Sequence, residues 1–130
     1  AITKAEYWLE KISLNYKAYE PAISLSGGEK QRMVIARSLI GDPKLIFLDE
    51  PTVNLDGKSK SQIENLLKQV INNGTKIIMA THDLGQAKRL GNDILFLHHG
   101  KVLEVSSVDS FFKNPKTKDG LTFLRGEILQ

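Results

Sequence analysis

Two unalternating apolar blocks, Leu45-Ile46-Phe47-Leu48 and Ile77-Ile78-Met79-Ala80, flank a stretch whose Ile63, Leu66, Leu67 and Val70 fall at helical spacing. Consecutive apolar residues with no polar face suit parallel strands covered on both sides, and parallel strands need a crossover connection. Strand, helix, strand therefore points to an α/β sheet. The crossover helix should run from about Ser59 to Ile71, after a polar loop through Gly57, and stop at Asn72-Asn73-Gly74. Both strands are expected to be buried. The first delivers Asp49 and Glu50 to its C-terminal end, and the second, Lys76 to Thr81, ends at His82.

The flanking segments read in the same way. Tyr7, Trp8, Leu9 and Ile12 predict a short helix from Ala5 to about Ser13. Ser26, with Glu29 three residues on, is a capping-box signature, and Met33, Val34, Ala36, Leu39 and Ile40 continue it until Gly41 and Pro43. A short helix is expected over Leu84 to Leu90, closed by Gly91. A hairpin should then form from Ile94–Leu97 and Lys101–Val105 around His99-Gly100, with short helical pieces near Val108 to Phe112 and Leu121 to Leu124.

Ligands of open α/β sheets bind beyond the carboxyl ends of the strands, where this chain carries Asp49-Glu50 and Thr81-His82-Asp83. The two strand ends are expected to converge on one site. Adjacent carboxylates after an apolar strand suit phosphoryl transfer, one holding magnesium while its neighbour orients or deprotonates water. A structural alternative is that these acids only begin turns. Ser26-Gly27-Gly28-Glu29 at a helix start would expose backbone N–H groups to an anion, and equally would serve as a plain cap with a Gly-Gly entry. His98 and His99 read as solvated residues of a hairpin tip, Tyr7 and Trp8 as helix-packing residues, and Lys58 and Lys60 as a solvated face.

From Ile23 to Glu104 these pieces resemble the ATP-binding-cassette (ABC) ATPases. Leu25 to Arg32 is similar to that family's signature motif, Leu45 to Glu50 to its Walker B strand, Val53-Asn54-Leu55-Asp56 to its D-loop, and His82 to its switch histidine. The resemblance implies a P-loop NTPase-like α/β fold that works with ATP and Mg²⁺. Asp49 would hold the metal, Glu50 would polarise the attacking water, and His82 would contact the γ-phosphate. Ser26, Gly27, Gly28 and Glu29 would face nucleotide held by an opposing subunit, and Asp56 would lie at the dimer interface.

The family's phosphate-binding motif, G-x-x-x-x-G-K-[ST], does not occur in these residues. Gly57-Lys58-Ser59 imitates its end, but Thr52 stands where the first glycine is required, and the segment follows the Walker B strand. The adenine-stacking aromatic and the glutamine loop, which the family places before the signature, are missing too. The resemblance thus implies the C-terminal part of a nucleotide-binding domain: residues 1–40 as the end of the helical subdomain, residues 41–130 as part of the catalytic core. The chain begins with Ala1, as expected of a processed protein or a piece of a longer one.

As a transporter motor, such a domain would partner a second ATPase subunit and a transmembrane permease, and a solute-binding protein indirectly, on the inner face of the cell membrane. The tail, with Phe111-Phe112, Asn114-Pro115 and Phe123-Leu124-Arg125-Gly126-Glu127, is similar to prokaryotic importers of tungstate, molybdate or phosphate. Two rival readings are an ABC-type ATPase of DNA repair or chromosome maintenance, and a non-catalytic half that only binds partner subunits. A net charge of +3 with interspersed signs gives only weak support for a nucleic-acid partner, none is expected, and there is no heptad run. With no cysteine, disulfides, thiolate metal sites and cysteine nucleophiles are excluded. The short apolar runs and the absence of an apolar h-region near Ala1 lead to the expectation of a cytoplasmic protein.

Overall fold

A computed structural model describes residues 2–126, and the chain divides after Ala80 into two compact units. Glu127 of the tail segment lies outside the described residues. Among the described residues no helix is long and apolar enough to cross a membrane.

In the first unit, α1 (Ile2–Lys11) ends in a left-handed Ser13, φ 57°. The Ser13 amide donates to the Glu10 carbonyl (2.9 Å) and the Leu14 amide to the Leu9 carbonyl (2.8 Å), which closes the orphan carbonyls of the last turn. That turn sends Ile12 and Leu14 into the interior, where they join Leu25, Ile35, Ala36 and Leu39. α2 (Gly27–Leu39) starts one residue after its predicted cap Ser26. β1 (Leu45–Asp49) is followed by α3 (Gly57–Asn72), which buries the forecast stripe Ile63, Leu66, Leu67 and Val70, each worth about 1.5–3 kcal/mol relative to exposure. β2 (Lys76–Ala80) pairs with β1 in parallel, Ile46 opposite Ile77 and Leu48 opposite Met79.

The expectation that both strands are buried on both faces is corrected. Only Ile46 is buried; Phe47 is 72% and Ile78 54% exposed. A pleated strand sends alternate residues to opposite faces. Among the described residues only the face carrying Ile46, Leu48, Ile77 and Met79 finds cover.

In the second unit, α4 (Leu84–Leu90) is capped by the Asp83 carboxylate, which accepts from the Gln86 amide (2.9 Å), and Gly91 ends it. β3 (Asp93–His98) and β4 (Lys101–Ser107) form the expected antiparallel hairpin. Its two-residue turn needs positive φ twice, at His99 (48°) and Gly100 (72°). A register shift between Phe96 and Leu97 re-aims β4. α5 (Val108–Lys113) and α6 (Lys118–Leu124) supply Phe111 and Phe123 to an aromatic cluster around Phe96, with centroids 5.7 and 5.2 Å away.

One histidine departs from expectation. His99 is exposed, but His98 is only half exposed, its ring centroid 4.0 Å from that of His99 and its Nε2 buried without a hydrogen-bond partner among the described residues. Its place at the end of β3, before the turn proper, withdraws it from solvent. Tyr7 and Trp8 stack edge-on, centroids 5.4 Å apart, yet α1 buries neither ring.

Candidate functional site

The start of α2 is built by a reciprocal cap. The Ser26 hydroxyl accepts from the Glu29 amide (3.3 Å), and the Ser26 amide donates to Glu29 Oε2 (2.8 Å). Lys17 Nζ (3.1 Å) and the Tyr16 hydroxyl (3.3 Å) also donate to the Glu29 carboxylate. The hydrogen bond from the Ser26 amide, and then that from Lys17, hold the Glu29 carboxyl below the usual glutamate range, while the same contact raises the Lys17 ammonium. Glu29 is thus committed to the cap. The amides of Gly27 and Gly28, in the first helical turn, are left without intrahelical partners, the arrangement that receives an anion.

The two glycines are not equivalent. A Cβ on Gly28 would fall 2.5 Å from Ser59 Oγ and 2.8 Å from Ser59 Cβ, whereas one on Gly27 would meet Leu55 Cδ2 at an ordinary 3.8 Å. Gly28 is therefore where α2 packs on the first turn of α3. That turn is capped by Asp56, whose Oδ1 accepts from the Ser59 amide (2.9 Å) and whose Oδ2 accepts from the Ser59 hydroxyl (2.8 Å). These bonds, the amide first, hold the Asp56 carboxyl low. The beginning of the signature-like segment and the end of the D-loop-like segment thus meet through Gly28 and Ser59.

Asp49 ends β1 with an exposed side chain. Glu50 follows in the left-handed region, φ 45°, with its amide donating to the Ala80 carbonyl (2.9 Å) so that the parallel ladder extends one residue past the strand. A left-handed non-glycine residue costs on the order of 1–3 kcal/mol and persists only where its surroundings hold it. Here the Val53 amide closes a turn onto the Glu50 carbonyl (3.2 Å), and Pro51 and Thr52 are buried beneath it. Asn54 repeats the left-handed conformation, φ 59°. His82 belongs to the second unit and is exposed, next to Asp83, whose amide donates to the Thr81 hydroxyl (3.0 Å).

Sequence reasoning assigned no role to Arg32, which is buried, with Nε donating to the Ile12 carbonyl (3.1 Å) and Nη1 to Gln62 Oε1 (2.6 Å). Its spacing with Ile35, Ala36 and Leu39 was the available signal, since it falls on the helix's buried stripe. Ser59 was also missed; nothing local in the sequence ties it to Gly28.

A parallel strand pair ending in two carboxylates, with a glycine-rich helix start packed on the helix that follows, defines part of an α/β domain of the P-loop NTPase-like class. Comparison with known proteins agrees. The ABC transporter family matches residues 2–53. The glutamine transport ATP-binding protein GlnQ of Geobacillus stearothermophilus is 37% identical over 120 residues, 92% of this chain and 50% of that protein. The phosphate import ATP-binding protein PstB of Campylobacter jejuni is 43% identical over 122 residues, 91% of this chain and 49% of that protein. An ATP-binding cassette of an ABC transporter, solved in its ADP conformation, superposes with a TM-score of 0.82 at 22% identity, covering 97% of this chain and 50% of that one, and shows the same fold. These matches are all to the ATPase domain of the ATP-binding-cassette family, and the chain spans about half the length of the curated relatives it matches.

Proposed function

We propose that this chain forms part of the ATP-hydrolysing subunit of a membrane import system. The observation that carries the reading is the left-handed Glu50 at the end of a parallel strand, because strain of this kind gathers where a side chain must be aimed. In this reading the Glu50 carboxylate orients a water and accepts its proton as the water oxygen attacks the γ-phosphorus. The bond to the β–γ bridging oxygen breaks, and ADP and phosphate leave. His82 donates a hydrogen bond to the γ-phosphate. The Ser26 hydroxyl and the Gly27 and Gly28 amides receive the γ-phosphate of nucleotide bound by an opposing subunit, beside which Asp56 lies at the interface.

Asp49 is the residue that would hold magnesium. Its exposed carboxylate is a hard oxygen donor, and among the described residues no group of three ligating side chains surrounds it, so water and nucleotide phosphates would complete the coordination. A magnesium ion held there would supply positive charge to the phosphoryl group being transferred.

The remaining partners are a transmembrane permease, a second ATPase subunit and, indirectly, a solute-binding protein, at the inner face of the cell membrane. Import of an oxyanion such as phosphate, molybdate or tungstate is supported by the 43% identity to a phosphate importer's subunit. Amino-acid import is a second reading, favoured by the 37% identity to a glutamine transport subunit. Solute-stimulated ATP turnover in vesicles from the source cells separates them: oxyanions stimulate in the first case, glutamine in the second. Stimulation by neither would overturn the import assignment. Because the chain has no phosphate-loop motif, these 130 residues alone should bind MgATP weakly and turn it over negligibly; robust hydrolysis abolished by Glu50→Gln would contradict this.

A further inference from the structure

Arg32 is a buried guanidinium whose two hydrogen bonds both go to neutral acceptors, the Ile12 carbonyl and Gln62 Oε1. Buried charges are ordinarily paired, because desolvating one without compensation is costly. Among the described residues Arg32 has no ion pair, and its Nη2, which makes no hydrogen bond, stays open to solvent and so to a ligand. The side chain lines a crevice of about 150 Å³ in the first unit, where α1 ends, together with Lys11, Ser13, Gln62, Asn65 and Gln69. Two cations, three carboxamides and a hydroxyl line it, and none of the lining residues is acidic. The volume is well below the roughly 300–1,000 Å³ of pockets for drug-sized ligands, so a nucleotide does not fit but a tetrahedral or planar oxyanion does.

We propose that this crevice binds a small oxyanion, a phosphate or carboxylate group held between the Lys11 ammonium and the Arg32 guanidinium. Arginine presents a planar fork suited to either group, and lysine adds a point charge. The anion would supply the charge that Arg32 lacks. It would also brace the joint that Arg32 makes between the end of α1 and Gln62 of α3. That joint adjoins the start of α2: Arg32 Nη1 lies 4.0 Å from the position a Cβ on Gly28 would take.

The test is a titration of the isotope-labelled protein carrying both halves of the domain with sodium phosphate and, separately, sodium acetate, at ionic strength held constant with chloride and followed by NMR. Saturable shifts of the Arg32 Nε–H and of the Gln62, Asn65 and Gln69 carboxamides, with a dissociation constant in the millimolar range, are expected. Lys11 is exposed, so Lys11→Gln should keep the fold while weakening binding at least about fivefold. Response to phosphate alone assigns the site to phosphoryl groups, and response to both anions extends it to carboxylates. Absence of saturable shifts with either anion, or an affinity unchanged in Lys11→Gln, would overturn the proposal.

Discussion

Glu50 and Glu104 stand at strands of different units and are held in opposite ways. Glu50 follows β1 with a strained backbone, and its ladder bond ties the main chain to β2. Glu104 lies within β4, is 4% exposed, and accepts hydrogen bonds from the Lys116 amide (2.9 Å), the Thr117 amide (3.2 Å), the Thr117 hydroxyl (3.1 Å) and the Ser106 hydroxyl (3.1 Å). Burial alone would raise the Glu104 carboxyl, but those donors outweigh it and hold the group below the usual glutamate range. A carboxylate saturated by local donors fastens β4 to the start of α6. Glu50 is instead a half-exposed residue whose place is set by a left-handed backbone at a strand end. A left-handed backbone marks the acid assigned to chemistry and burial among donors marks the acid assigned to architecture, although the residue type is the same.

The contrast can be broken in several places. The largest effect falls on Glu50: in the protein that also contains the phosphate-binding half, Glu50→Gln should lower ATP turnover by about 100-fold or more while ATP binding persists. Loss of binding would make Glu50 structural. Next comes Glu104→Gln, which places an amide against donors and removes the charge they solvate. It should cost about 2–3 kcal/mol in chemical denaturation. The pH dependence follows from the lowered carboxyl: the stabilisation is complete above the ordinary glutamate pKa and is lost as pH falls through the lower folded value. Wild type should therefore weaken in that acid window, and Glu104→Gln should flatten the loss.

Smaller effects sharpen the picture at the two helix starts. Gly28→Ala should destabilise by about 1–3 kcal/mol through overlap with Ser59, and Ser59→Gly should restore part of it. Gly27→Ala, with ordinary contact distances, should change stability by no more than about 0.5 kcal/mol. Equal costs at the two glycines in thermal melts would refute the packing role of Gly28. Ser26→Ala should cost about 1 kcal/mol as a lost cap, and Asp56→Ala should destabilise in the same direction.

What was legible in the sequence was local. The cap Ser26 and Glu29, the stripe of α3, α4 with its terminal Gly91, and the His99-Gly100 turn all depend on residues a few positions apart. Exposure of Phe47 and Ile78 was not legible, since an apolar run states that a strand can be covered and not which faces are. Nor was the burial of Glu104. Alternation over Leu103-Glu104-Val105-Ser106 suggests a solvated polar face, and only the Lys116 and Thr117 amides arriving from beyond α5 make it an interior one. The candidate site was legible as motifs, but the contact of Gly28 with Ser59 and the role of Arg32 needed three dimensions.

The most direct test applies one chemical change, Glu to Gln, at positions 50 and 104 of the protein carrying both halves of the domain, measuring ATP turnover and denaturation midpoint on each variant. The account predicts that Glu50→Gln loses turnover with its midpoint unmoved, and that Glu104→Gln loses stability while the folded fraction keeps its turnover. Near-normal turnover in Glu50→Gln would contradict it.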